Sequence, residues 1–368
     1  MNTCIVCPPR SKSFWHMRGR LISSMVDAGV NVIVLLPRDS GFDEEVGTLR
    51  QLGFTVYTSP FIRNKIGLMS SIVYFLRLAL MCRKYKPNAI LSFTLKPVVI
   101  CSLVGALFRV QRRVGIFTGL GSSLGAILEG NDRKSKHANW VMKGLFKFCT
   151  KIVVQNSCDR RLVSQFVYDP SKIIMVNGSG VDLARFCYTP LPDLPLKFLY
   201  VGRFTESKGL LDLLDAYKIL VRKNLEFELA LVGDQGDDNE IPPDFIEGVN
   251  QGHITVHKFT SAIEQHISSS HVMVLPSYRE GTPRCIIEGF AVGRPCIITD
   301  VPGCRQLVPD RSKGILVEAR APEALAKAME KMICEGHNLH KITQSCRTFA
   351  ERSFCDKDVN RIIVSHIV

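Results

Sequence analysis

The chain has 368 residues, 46% hydrophobic and 8% aromatic, which excludes a disordered chain and leaves room for two α/β domains with separate cores. Its formal charge of +13 is unevenly placed: residues 1–190 carry 26 Lys/Arg against 10 Asp/Glu, and residues 191–368 carry 21 against 24. The positive excess lies wholly in the first half and suits an anionic partner of that half, whether membrane lipid, nucleic acid or an anionic acceptor.

In chain order, apolar runs and turn residues predict a strand at Thr3–Cys7, a loop over Pro8–Ser13 and a helix over Phe14–Ala28 closed by Gly29. Strand Val30–Leu36, helix Glu44–Leu52, strand Phe54–Tyr57, helix Leu68–Tyr85, strand Ala89–Ser92, helix Val98–Phe108 and strand Arg112–Phe117 follow. After a loop come helix Ala138–Cys149, strand Lys151–Gln155, helix Cys158–Val167 and strand Lys172–Val176. This alternation predicts a parallel, doubly wound sheet with ligands at the carboxyl ends of its strands. Thr189-Pro-Leu-Pro-Asp-Leu-Pro195 is Pro-rich and reads as a linker. A second alternating unit runs from strand Lys197–Gly202 through helix Gly209–Lys223, strands Phe227–Gly233 and Ile254–Phe259, helix Ala262–Ser269 and strand Val272–Leu275 to helix Pro322–Cys334. The expected domains are therefore 1–188 and 197–350, joined by 189–196 and followed by terminal helices that include 351–368.

Thirteen cysteines scattered through apolar runs read as small buried hydrophobes in a reducing cytosol. Cys4-Ile-Val-Cys7 has redox spacing, but it falls inside the first strand and no second pair follows at zinc spacing. Met1 runs into a strand without a basic leader region, so no signal peptide is expected. Ile66–Cys82 is apolar but carries Arg77, and Ala89–Phe108 is broken by Lys96-Pro97, so neither reads as a clean spanning helix. Asp356-Lys-Asp358 has a D-x-D spacing, but it opens a terminal helix, where acids complement the dipole.

The chemistry concentrates after strand Val272–Leu275. In Pro276-Ser-Tyr-Arg-Glu280-Gly-Thr-Pro283-Arg-Cys-Ile-Ile-Glu288-Gly, Thr282 is expected to cap a helix whose first residue is Pro283. Glu280 then sits in a loop at a strand end and Glu288 in the helix that follows. A helix start suits phosphate, and two ionised carboxylates beside it suit sugar or ribose hydroxyls. Arg203 and Lys208 flank another strand-to-helix turn, with Ser207 as its expected cap, and a fork and a point charge there suit a diphosphate. Gly119-Leu-Gly121-Ser-Ser-Leu-Gly125 misses the dinucleotide pattern, because residue 124 is Leu. His16 and Arg18 start the first long helix, where they could reach an acceptor diphosphate.

Glu280 and Glu288, seven residues apart with Gly281 after the first, resemble the E-x7-E signature of the family 4 retaining glycosyltransferases of the GT-B fold. Tyr200-Val-Gly202-Arg203-Phe-Thr-Glu-Ser-Lys208-Gly209 resembles that family's diphosphate loop, and Gly293-Arg-Pro295 to Gly303 and Lys313-Gly314-Ile-Leu-Val317 follow its pattern. The resemblance implies two Rossmann-like domains across a cleft, with the last helix crossing back to the first domain. It implies a nucleotide-sugar donor, UDP-linked, whose diphosphate meets Gly202, Arg203, Lys208 and the backbone of Gly281, Thr282 and Arg284. Glu288 would then hold the ribose and Glu280 the donor sugar, with Arg203, Lys208 and Glu280 the catalytic set. Where many relatives carry a His after the first domain's fifth strand, this chain has Thr118-Gly119. That loop resembles a subgroup extending bacterial surface glycans, as in capsule and lipopolysaccharide synthesis, on polyprenyl-diphosphate carriers.

The expectation is therefore an enzyme transferring a hexose or N-acetylhexosamine with retention to a lipid-linked glycan, needing no cofactor, no metal and no nucleic acid. It would sit in the cytoplasm, peripheral on the inner face of the membrane, docked by the edges of the apolar helices near 66–82 and 98–108. A non-hydrolysing UDP-sugar epimerase would need extra acid/base carboxylates near strand ends in residues 1–190, which are few there. A non-catalytic nucleotide-sugar binder is disfavoured by the intact set of Glu280, Glu288, Arg203 and Lys208.

Overall fold

The computed structural model describes residues 2–39, 41–59, 68–119, 142–144, 146–234, 246 and 252–368. Two compact units result, Met1–Val176 with Lys357–Val368, and Asn177–Asp356.

In the first unit the described chain runs β1 (Asn2–Cys7), α1 (Phe14–Asp27), β2 (Val30–Pro37), α2 (Phe42–Gln51), β3 (Thr55–Ser59), α3 (Leu68–Tyr85), β4 (Ala89–Phe93), α4 (Leu95–Leu107), β5 (Arg112–Phe117), β6 (Lys151–Val154), α5 (Ser157–Ser164) and β7 (Ile173–Met175). All pair in parallel in the order β3-β2-β1-β4-β5-β6-β7. Strand alternation divides the core. Cys4 and Val6 pack with Leu21, Ile22 and Met25 of α1, whereas Ile5 and Cys7 pack on the other face with Leu78 of α3 and Cys101 of α4. The C-x-x-C spacing is thus one strand seen on both faces. Burial pushes the Cys4 thiol up to about 12 and the Cys7 thiol up as well, so neither is poised as a thiolate.

Helix α4 starts three residues earlier than expected. Pro97 lies in its first turn, where a missing N–H costs little, and the break falls at Thr94, held at φ 63°. Of the helix expected over Ala138–Cys149, residues 138–141 and 145 lie outside the described residues, as does the whole loop Gly121–Gly125.

The second unit runs β8 (Lys197–Val201), α6 (Leu210–Arg222), β9 (Glu228–Val232), β10 (Ile254–His257), α7 (Ile263–Ser268), β11 (Val272–Leu275), α8 (Arg284–Val292), β12 (Cys296–Thr299), β13 (Gly314–Val317), α9 (Pro322–Cys334) and α10 (His340–Ser353). Its strands are also parallel, in the order β10-β9-β8-β11-β12-β13. The last helix, α11 (Asp356–Val364), lies mostly in the first unit, where Val359 and Ile363 join the α1 core. Asp358, in the D-x-D stretch, pairs with Arg361 one turn on.

The division between units falls at 176/177, twelve residues before the expected boundary, and the Pro-rich stretch belongs to the second unit's packing. Arg294, fully buried, holds it there. Its Nη1 donates to the carbonyl of Thr189 at 2.6 Å, and its Nη2 to Thr189 Oγ1 at 2.8 Å and to the Pro190 carbonyl at 2.9 Å. The same guanidinium reaches Ser270 O at 2.7 Å and Ser268 O at 2.7 Å, ending α7. Prolines in this stretch stiffen a segment that Arg294 has already fixed. Arg294→Lys keeps the charge but replaces five fixed donors by three, and is expected to lower unfolding free energy by about 1–2 kcal/mol in urea titration. An unchanged midpoint would show that the fork adds nothing to the fold.

Candidate functional site

In the second sheet the chain order reverses between β8 and β11, which are hydrogen-bonded neighbours. Loops leaving the carboxyl ends of such a pair diverge to opposite faces and open a crevice. The β8 loop carries Gly202, Arg203 and Lys208, and the β11 loop carries Glu280, Gly281 and Thr282, so sequence segments some 70 residues apart meet at one edge.

The two loops are in contact. Tyr278 N donates to Ser207 O at 3.1 Å. Gly209, at φ 69°, opens α6, and a Cβ there would stand 2.0 Å from the Pro276 carbonyl oxygen. Gly303, at φ 86°, allows an equally close approach, since a Cβ there would stand 2.0 Å from the Gly281 carbonyl oxygen. Only glycine fits either position.

Lys208 Nζ donates to Glu280 Oε1 at 2.6 Å, with the carboxylate side chain 10% exposed. One turn into α8, Arg284 Nε donates to Glu288 Oε1 at 2.7 Å, and Glu288 is 5% exposed. Burial pushes the Glu288 carboxyl above the usual carboxylate range, while the Arg284 guanidinium, and more weakly Arg185, pull it back. Cys285, flanked by both glutamates, is pushed well up by burial and then by their charges. Arg203 is exposed and forms no ion pair among the described residues.

Two expected caps are corrected. Helix α8 begins at Arg284, and its cap position is Pro283 in extended geometry at ψ 116°, with no side-chain cap. The Thr282 hydroxyl turns away, donating to Gly281 O at 2.9 Å and accepting from Gln306 Nε2 at 3.3 Å. Ser207 lies in a single 3-10 turn at Glu206–Lys208, its hydroxyl against that of Thr205 at 3.2 Å, and Gly209 takes the cap position of α6. The start of each helix therefore owes its donors to backbone alone.

The sequence missed the groups that brace these residues. The Tyr278 hydroxyl is pushed up to about 12 by burial and by Asp212, in the first turn of α6. The Arg320 guanidinium stacks 4.6 Å from the Tyr278 ring. Arg185 pairs with Glu264 at 2.6 Å, and both charges are felt at Glu288. Tyr278, two residues before Glu280, is the one whose position could have signalled this role.

The remaining candidates lie in the first unit, where chain order reverses between β1 and β4. His16 is half-buried near the start of α1, and the Arg18 guanidinium stacks 5.0 Å from the ring of Phe93, the last residue of β4. Thr118 is half-buried and Gly119, at φ 123°, is exposed just past β5. Arg18 thus reaches the carboxyl end of β4, and Thr118 and Gly119 follow that of β5.

Chemically, the second-unit site joins cations to carboxylates at two helix starts, an arrangement that can take a diphosphate and a set of hydroxyls together. Residues 195–335 match the family Glycosyl transferases group 1. The capsular polysaccharide biosynthesis glycosyltransferase CapM of Staphylococcus aureus is 25% identical over 303 residues, 76% of this chain and 78% of CapM. The N,N'-diacetylbacillosaminyl-diphospho-undecaprenol alpha-1,3-N-acetylgalactosaminyltransferase of Campylobacter jejuni is 23% identical over 338 residues, 87% of this chain and 86% of that protein. Among solved structures, Anabaena Alr3699/HepE in complex with UDP and glucose superposes with a TM-score of 0.77 at 15% identity, over 99% of each chain.

Proposed function

We propose a substrate pair for this chain from one premise: it is a glycosyltransferase of the GT-B fold whose residues 195–335 form a glycosyl transferases group 1 domain. The donor is a UDP-hexose or UDP-N-acetylhexosamine, and the acceptor is a glycan on polyprenyl diphosphate, used in bacterial surface polysaccharide or glycoprotein glycan synthesis. The observation that carries the reading is the pairing of Lys208 with Glu280 beside Arg284 with Glu288 at the β8/β11 reversal. The diphosphate-undecaprenol named in the Campylobacter relative and the UDP of the Anabaena structure support the choice of substrates.

In this reading Lys208 and Arg203 hold the donor diphosphate, together with the backbone around Gly202, Gly281 and Thr282 and the first turn of α8. Negative charge grows on that diphosphate as the sugar leaves, so cations fixed there stabilise the transition state more than the ground state. Glu288 accepts from the ribose hydroxyls through the oxygen that Arg284 does not take. Glu280, oriented by Lys208, accepts from a donor-sugar hydroxyl. His16, Arg18, Thr118 and Gly119 belong to the acceptor side, on the first unit. Transfer proceeds with retention, the acceptor hydroxyl entering on the face the diphosphate leaves. A two-carboxylate hydrolase scheme does not apply, since both glutamates are already tied to cations on one side of the donor. The enzyme works at the inner face of the cell membrane, where its acceptor resides.

The test is a panel of UDP-sugars screened by thermal shift, followed by transfer to a short-chain polyprenyl-diphosphate sugar and analysis of the product anomer. Formation of an α-linked product from an α-linked donor is expected. Release of an epimerised sugar without acceptor, or binding without turnover by any donor, would overturn the reading. Because protein cations already occupy the diphosphate position, turnover is expected to be unchanged in EDTA. Loss of activity in EDTA, restored by Mg²⁺ or Mn²⁺, would refute that point.

A further inference from the structure

Helix α3 is apolar on two opposite faces. Tyr74, Leu78, Met81 and Cys82 are buried against the sheet. Met69, Ile72, Leu76 and Leu80 recur at spacings of three and four on the other side, and Met69 is 71% and Leu80 67% exposed. The stripe runs about 16 Å along the helix axis. Helix α4 packs in the same cluster through Cys101 and Val104, so both helices cover one side of the sheet and turn outward together. Its outward end adds Leu107, 66% exposed, and Phe108. Scattered apolar residues on a surface need no explanation, but an apolar stripe along the whole outward face of one helix does.

The sequence that carries these helices is one-signed in charge. Residues 46–128 hold eleven Lys/Arg and no Asp or Glu. Arg83 lies on the line of the stripe, Arg77 and Lys84 flank it, and Lys86 and Arg109 are exposed at the ends of α3 and α4. No described helix is long and apolar enough to cross a membrane. We propose that the outward faces of α3 and α4 form a docking surface for an anionic phospholipid bilayer, with the leucine stripe entering the acyl boundary and the basic residues meeting the headgroups. A second copy of the chain fits this surface poorly, since self-association would bring two unneutralised basic rims together. The proposal rests on the reading above for the lipid-linked acceptor and the membrane face at which it is used, and adds the surface that docks there.

The test uses the whole protein with vesicles of phosphatidylcholine alone or mixed with phosphatidylglycerol. Co-sedimentation is expected with the mixed vesicles only, weakening as salt rises. Leu76→Ser with Leu80→Ser is expected to lower the partition coefficient roughly tenfold or more, because two buried leucine side chains leave the acyl boundary. Both positions are exposed, so the unfolding midpoint and the affinity for UDP are expected to hold. Transfer to a long-chain acceptor in vesicles should fall, while transfer to a short soluble acceptor should not. Equal recovery with both vesicle types at low salt would overturn the proposal. So would an unchanged partition in the double variant, or the variant dissociating a dimer without altering vesicle binding. Vesicle binding without transfer of any sugar would leave the surface standing and refute the substrate reading instead.

Discussion

Lys208→Ala and Arg203→Ala are each expected to lower kcat about 10²-fold or more, with the donor Kd changed far less. The reason is where the charge develops. In the proposed reading the ground-state diphosphate binds backbone donors at two helix starts, and breaking the bond to the departing sugar concentrates negative charge on oxygen. A cation placed there acts mostly after binding. For Lys208 a rival explanation exists, since its ammonium holds Glu280 at 2.6 Å and its loss leaves a mostly buried carboxylate without its partner. Glu280→Gln separates the two. If Lys208 serves only to position Glu280, the double variant loses no more than Glu280→Gln alone. If Lys208 acts on the diphosphate, its loss remains costly when Glu280 is already neutral. Arg203 has no such ambiguity, being exposed and without an ion pair among the described residues. Near-wild-type turnover in both single variants would remove the diphosphate from this loop.

The sequence made the parallel sheets legible because alternation of apolar strands and amphipathic helices is a local signal. It also exposed the spacing of Glu280 and Glu288, which depends on a single stretch. What it hid was non-local or conformational. Lys208 and Glu280 are 72 residues apart, and only the β8/β11 pairing makes them partners. Thr282 before Pro283 matches a capping pattern, but the extended geometry of Pro283 moves the helix start on by one residue and sends the hydroxyl back to its own loop. The Pro-rich stretch near 189–195 has a linker's composition and a scaffold's contacts, because the guanidinium that fixes it lies a hundred residues later. Exposure of the α3 stripe was equally hidden, since a helix apolar all round gives no sign of which face is covered.

Glu288→Ala is expected to weaken UDP-sugar binding by roughly 1.5–3 kcal/mol, about 10- to 100-fold in Kd, by removing a charged acceptor from a buried hydroxyl pair. A UDP analogue lacking both ribose hydroxyls should lose a similar amount with the wild type and little with the variant. Glu288→Gln tests the charge through pH. Burial raises the carboxyl above its ordinary value, so in the folded protein it takes up a proton before an unfolded-chain glutamate does as pH falls. Donor affinity of the wild type should therefore decline as pH drops through that raised range, while the Gln variant stays flat. Stability of the unliganded protein carries the opposite sign. An ionised buried carboxylate costs stability above that range, and the cost is relieved as protonation proceeds, so wild type should gain on Glu288→Gln in urea titrations as pH falls. Arg284, bonded at 2.7 Å, offsets part of the cost without reversing its direction. Calorimetry and unfolding curves at matched pH thus separate two roles of one side chain: a ligand for ribose shows both trends, whereas a mere anchor for Arg284 shows only the second. Unchanged UDP affinity in Glu288→Ala would take Glu288 out of the donor site altogether.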